Sequence, residues 1–185
     1  RRITQPDTQT NARYTMSTSQ SAPILSVETL RDYRQDLRRS SQTIVLTNGC
    51  FDLLHEGHIA FLSNCASLGD RLIVGLNSDK SVRHIKGPKR PTLNESARSM
   101  IIAAIRWVDA VTIFHEPTAD ELIRAVLPDI YAKGEDYDPH KGRHHLPELS
   151  TVTEVGARLE FIPLTGTNST TTLRSKFCTE IEDDD

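Results

Sequence analysis

The chain has 185 residues, 37% hydrophobic and 25% charged, with a formal net charge of −3 at pH 7. That is room for one ordinary domain with tails, and it excludes a collagen-like or wholly disordered chain. The longest apolar runs, such as Ile101–Ile105, fall far short of the roughly 20 residues a membrane span needs. Five acids among the last six residues leave the remainder near neutral, which excludes the strongly basic surface of a general nucleic-acid binder.

Residues 1–22 are rich in Thr, Ser, Gln and Asn, so they are expected to form a disordered tail. Residues 23–179 are expected to form one folded domain, and 180–185 an acidic tail. The start carries no apolar run of the secretory kind. Cys50, Cys65 and Cys178 are too scattered for a disulfide framework and read as reduced thiols, so a cytoplasmic protein is expected.

Val27–Arg39 sets Leu30, Tyr33, Arg34 and Leu37 at helical spacing. Thr43–Thr47 is a short apolar, β-branched run and reads as a buried strand. Gly57–Leu68 reads as a helix that Gly69 stops, and Arg71–Leu76 as a second strand. Asn94–Trp107 reads as a helix opened by Asn94, and Ala110–Phe114 as a third strand. Thr118–Leu127 reads as a helix with Thr118 as its N-cap. Asp129–Ala132 and Leu159–Ile162 are the fourth and fifth strands, and Thr170–Phe177 a closing helix. Buried strands alternating with helices predict a single α/β, Rossmann-like domain: a five-stranded parallel sheet with helices on both faces. Ligands then bind beyond the carboxyl ends of the strands.

The informative segment runs Asn48-Gly49-Cys50-Phe51-Asp52-Leu53-Leu54-His55-Glu56-Gly57-His58, where the first strand ends and a helix begins. Two histidines three apart at a helix start can point the same way. Gly57 lets a ligand approach the backbone, and the free N–H groups and helix dipole attract phosphate. G-x-G-x-x-G and the P-loop pattern are absent, and no G-x-S-x-G elbow occurs. Ile59 stands where H-E-x-x-H needs its second histidine, so the zinc-binding spacing fails.

This string resembles the signature of the H-x-G-H nucleotidyltransferase superfamily, the cytidylyltransferase-like enzymes. The likeness continues through Leu68–Val82, Ile85–Pro91, Val108-Asp109, Pro128-Asp129, Lys133–Tyr137 and Ser169-Thr170-Thr171, over roughly residues 25 to 178. It is nearest to the branch that adenylylates D-glycero-β-D-manno-heptose 1-phosphate. The resemblance implies nucleotidyl transfer: a phosphate oxygen of a sugar phosphate attacks the α-phosphorus of a nucleoside triphosphate, and pyrophosphate leaves. No covalent enzyme intermediate is needed.

The same resemblance implies roles. His55 and His58 would donate hydrogen bonds to the triphosphate as charge builds. Lys86, on a mobile loop after the second strand, would neutralise phosphate. Asn48, Gly49, Cys50 and Phe51 would line the nucleotide, Gly57 would let it close to the backbone, and Asp52 would brace the loop, with action as a base as the alternative. Lys133, Gly134, Glu135, Asp136 and Tyr137 would hold base and ribose. Ser169, Thr170 and Thr171 would hold the β- and γ-phosphates. Lys89, Arg90, Arg98 and Arg106 are further candidates for phosphate or substrate contacts, with a helix-surface charge as the alternative for Arg98. Mg²⁺ would arrive with the triphosphate, without a dedicated metal site. His140, His144 and His145 read as a solvated loop rather than a zinc site; residues 138–148 are richer in His and basic residues than the heptose pattern, and contact with the sugar phosphate is the alternative. The expected partners are ATP or CTP and a sugar phosphate, with no nucleic acid or membrane. Because dimers are common in the superfamily, a homodimer is expected.

Two residues depart from the heptose pattern. Glu135 stands where a small residue is usual, and Arg106 fits the Ile-Arg-aromatic-Val-Asp run of glycerol-3-phosphate cytidylyltransferases. That cousin's arginine ahead of Ser-Thr-Thr is missing here. ATP is the expected donor. CTP with another alcohol phosphate or phosphonate remains an alternative, as does a catalytically silent nucleotide-binding module.

Overall fold

The computed structural model describes residues 21–141 and 144–163, together with Thr170 and Leu173, both helical. Most of the two expected tails and most of the closing helix lie outside these residues. Ala22, at the expected tail boundary, is buried and donates its N–H to the Ala103 carbonyl.

The expected parallel sheet is present, with six strands rather than five. The inner strands are β2 (Ile44–Gly49), β3 (Arg71–Asn77), β4 (Ala110–Phe114) and β5 (Ile130–Gly134). One edge is β6 (Arg158–Ile162). The added strand, β1 (Ile24–Leu25), is the other edge and pairs with Val111 and Thr112 of β4. Two residues are too few to show a period, so no sequence pattern marks it.

The order is β1-β4-β3-β2-β5-β6, all parallel. The chain winds outward from β2 through β3 to β4, then resumes on the other side with β5. Between β2 and β5 the direction of winding reverses, and open parallel sheets bind ligands at such a point.

Successive residues of the inner strands face opposite layers. Val45 packs with Leu62 and Cys65 of α2 (Glu56–Ala66) and Ile102 of α4 (Glu95–Ala103). Ile44 and Leu46 pack instead with Leu30 of α1 (Val27–Arg39), Ile123 of α5 (Asp120–Val126) and Val152 of α6 (Leu149–Glu154). Each such side chain contributes about 1.5–3 kcal/mol on burial. Gly75 of β3 is a close-approach site: a Cβ there would lie 2.4 Å from Leu122 Cδ2 of α5.

Three aspartates anchor strand starts. Asp70, Asp109 and Asp129 accept the backbone N–H groups of Thr43, Leu72 and Ile44, each at 2.8 Å. The matched pairs Val108-Asp109 and Pro128-Asp129 therefore serve the amino edge of the sheet, away from its carboxyl end.

Three local expectations are corrected. The stretch expected as a mobile loop after the second strand contains a helix, α3 (Asp79–Lys86), capped by the Ser78 hydroxyl, which accepts Ser81 N–H. Helix α6 has no counterpart in the sequence pattern. Thr118 is not an N-cap: α5 starts at Asp120, and the Thr118 hydroxyl donates to the Asp120 carboxylate instead.

Candidate active site

A cavity of about 850 Å³ opens beyond the carboxyl ends of β2, β3 and β5. His55 and His58 form one end of it. His55 is the N-cap of α2, and its Nδ1 accepts Gly57 N–H at 3.2 Å. That bond fixes the tautomer: a neutral His55 carries its proton on Nε2, which remains free to donate. The two imidazole centroids lie 3.9 Å apart. Phe51 backs His58 at 5.4 Å and holds φ at 43°, the left-handed region, to turn the chain between strand and helix.

Burial, and then the neighbouring His55, push the His58 pKa down to about 4. At neutral pH His58 is an uncharged donor. The unfolded chain, with an ordinary histidine, binds the proton first as pH falls. Stability linked to His58 is therefore complete above about 6.5 and is lost progressively down to about 4. Urea melts of the protein and of His58→Gln between pH 7 and 4 check this. The variant should show a flatter acid limb, by on the order of 3 kcal/mol at pH 4.

Asp52 is tied to the segment that follows α3. Its buried carboxylate accepts from Arg90 Nη1, from Thr92 N–H at 2.6 Å and from Leu93 N–H at 3.3 Å. These bonds hold its pKa below the usual carboxylate range, against the burial that would raise it. Arg90 reaches the cavity wall but is committed to Asp52.

Arg98 is neither a phosphate ligand nor a surface charge; it is 1% exposed. Its guanidinium donates to Leu93 O at 2.9 Å, to Cys50 O and to the Asp79 carboxylate at 2.7 Å. One buried cation thus fastens the histidine loop to the start of α3. Lys86, the last residue of α3, is exposed and lines the cavity.

At the opposite wall, Asn48 Oδ1 at the end of β2 accepts from Tyr131 Oη at 2.6 Å and Lys133 Nζ at 3.1 Å of β5. Lys133 is 6% exposed, and its ammonium lies 4.4 Å from the Tyr137 ring centroid. Burial lowers its pKa, while Glu148 and Asp136 act in the opposite sense.

The Cytidylyltransferase-like family model matches residues 46–176. The chain belongs to the cytidylyltransferase-like family. It is 45% identical over 146 residues to the bifunctional protein HldE of Syntrophotalea carbinolica, covering 79% of this chain and 29% of that protein. It is 46% identical over 133 residues to the protein of the same name from Azorhizobium caulinodans, covering 72% and 27%. The chain thus spans under a third of the length of these relatives. Among solved structures it resembles the lipopolysaccharide core biosynthesis protein of Thermoplasma volcanium, with 28% identity and a TM-score of 0.55, over 69% of this chain and 99% of that one. It also resembles pantoate-beta-alanine ligase of Francisella tularensis, with TM-score 0.56, over 90% and 80%; at 14% identity that likeness concerns the fold alone.

The H-x-G-H pair of this family member lies in the cavity wall with Asn48, Gly49, Cys50, Gly57 and Asp136, which the sequence singled out. Gly134, Tyr137 and Thr170 line it too. Thr170 Oγ1 donates to Leu53 O at 3.3 Å, tying the last helical segment to the histidine loop. Ser169 and Thr171 fall outside the described residues. Glu135, Lys89 and Arg106 are not among the cavity residues, and the Arg106 guanidinium instead lies 5.8 Å from the Trp107 ring centroid. His144 and His145 are exposed, and both also border the cavity, with His144 N–H donating to Asp136 O at 2.9 Å. Asn77, Val82 and Ile85, which fall in the matched stretches Leu68–Val82 and Ile85–Pro91, also reach the wall. Pro117 and Glu148 do so by long-range packing that no local spacing signals.

Proposed function

We propose that the chain transfers the adenylyl group of ATP to the phosphate of a sugar 1-phosphate of the heptose kind. The acceptor oxygen forms the new bond to the α-phosphorus, and the bond to the β-phosphate breaks with its electron pair leaving on pyrophosphate. The observation that carries this is the close, tilted His55–His58 pair at the start of α2, opening on a cavity that Lys86 and Lys133 also line. Such a site works by positioning and by donors aimed at developing charge. His55 contributes Nε2–H, His58 an uncharged donor, and Lys86 a cation at the open side. The resemblance to the heptose branch supports the choice of sugar. ATP over CTP is favoured because Glu135 and Arg106, the two residues that point to a cytidylyltransferase, stand outside the cavity wall.

Mg²⁺ is the expected companion of the triphosphate, where it would shield phosphate charge. The Asp52 oxygens are taken by Arg90, Thr92 and Leu93, so the phosphates and waters would supply most of its ligands. Pyrophosphate release with ATP and CTP against sugar 1-phosphates tests the reading. The expected kcat/KM ratio of ATP over CTP exceeds one, EDTA silences the reaction and Mg²⁺ restores it. A ratio below one moves the assignment to cytidylyl transfer. Turnover of no sugar 1-phosphate removes the sugar assignment, and no turnover of any triphosphate leaves a silent binding module.

A further inference from the structure

Glu148 stands just before α6, in the cavity wall, and is 3% exposed. One carboxylate oxygen, Oε1, accepts Ala119 N–H at 3.0 Å. The other, Oε2, is buried with no hydrogen-bond partner among the described residues. A buried carboxylate oxygen without a donor is costly, and folded proteins leave few of them. Lys133 lies in the same wall with the converse deficit. It spends one of its three donors on Asn48 and has no other hydrogen-bond partner among the described residues. The two groups sense one another's charge, yet no ion pair joins them. The wall between them therefore offers an acceptor beside donors. A cation would meet Lys133 and an anion would meet Glu148. A hydroxyl group, which donates and accepts at one atom, suits both. Pro117, Pro147 and the Tyr137 ring supply flanking apolar surface of the kind a sugar ring's C–H faces need.

We propose that Glu148 and Lys133 form a subsite for a sugar-ring hydroxyl, which accepts from Lys133 Nζ and donates to Glu148 Oε2. Glu148 is then a specificity-determining residue. The inference rests on the reading of the cavity as a sugar nucleotide site. The hydroxyl belongs either to the acceptor sugar or to the ribose of the nucleotide.

Glu148→Gln tests it, because the glutamine carbonyl still accepts Ala119 N–H, and a thermal melt verifies the fold. In one arm, kcat/KM is compared for a sugar 1-phosphate and its series of monodeoxy analogues. In the other, calorimetry compares binding of ATP, 2′-deoxy-ATP and 3′-deoxy-ATP. The intact protein should reject one deoxy compound by roughly 10-fold or more, and Glu148→Gln, which keeps the Lys133 bond but loses the acceptor, should cut that rejection by at least about threefold. The arm in which discrimination falls names the ring. Discrimination that is absent from the intact protein, or that survives unchanged in the variant, in both arms, overturns the proposal. A protein that turns over no sugar phosphate at all defeats the assigned reaction instead, and the calorimetric arm still scores the subsite.

Discussion

His55→Ala and His58→Ala should each lower kcat by roughly 10²–10³-fold, the effect of losing one preorganised donor to a developing charge. The loss should fall on kcat more than on KM, because the donors matter most when negative charge peaks. The two variants differ in what else they disturb. His55 also caps α2 through Nδ1, so its removal costs up to about 1 kcal/mol of stability. His55→Asn keeps a side-chain acceptor for Gly57 N–H and should recover that stability without recovering turnover. His58→Ala deletes a half-buried ring close to Phe51 and His55, so its fold must be verified by circular dichroism before rates are compared. Near-normal turnover in either alanine variant would remove that histidine from the reaction.

Arg98→Ala should be the most destabilising single change named here, by about 3–5 kcal/mol, the range for breaking a buried ion pair from one side. Three acceptors lose their donor together: Leu93 O, Cys50 O and the Asp79 carboxylate. For a domain of this size that is a fall in Tm on the order of 10 °C. Arg98→Lys keeps the charge but not the planar fork, and should recover only part of the loss. A thermal melt within 2 °C of the parent would show that the guanidinium does not hold these segments together.

The fold and half of the site were legible because their signals are local. A β-branched run followed at once by a polar loop and a helix start marks β2, the His55 loop and α2 within some twenty residues. Arg98 shows the opposite case: an arginine in a helix pattern looks like surface, and its place inside comes from the Cys50 carbonyl, 48 residues away, and the Asp79 carboxylate, 19 away. Glu148 carries no mark either, since its burial depends on Ala119 from another helix start. Helix α3 was missed because only Ser81 and Val82 of its eight residues are buried, too few to show a stripe. Thr118 shows the limit of capping rules, because its hydroxyl had a carboxylate within reach.

The strand order also dictates when the cleft can come into being. The parallel strands β2 and β3 are joined through α2 by a crossover of 21 residues, but Asn48 meets Lys133 across 85. Parallel pairing at such separation closes late, because the chain loses loop entropy before any contact repays it. During synthesis the histidine loop and α2 emerge long before β5 exists, with one wall of the cleft still on the ribosome. A truncated product ending before Ile130 would therefore carry the whole H-x-G-H signature and expose the β2 edge that β5 covers. That bare edge is a template for pairing with other chains, so incomplete translation of this protein yields a species prone to aggregate rather than a weak enzyme.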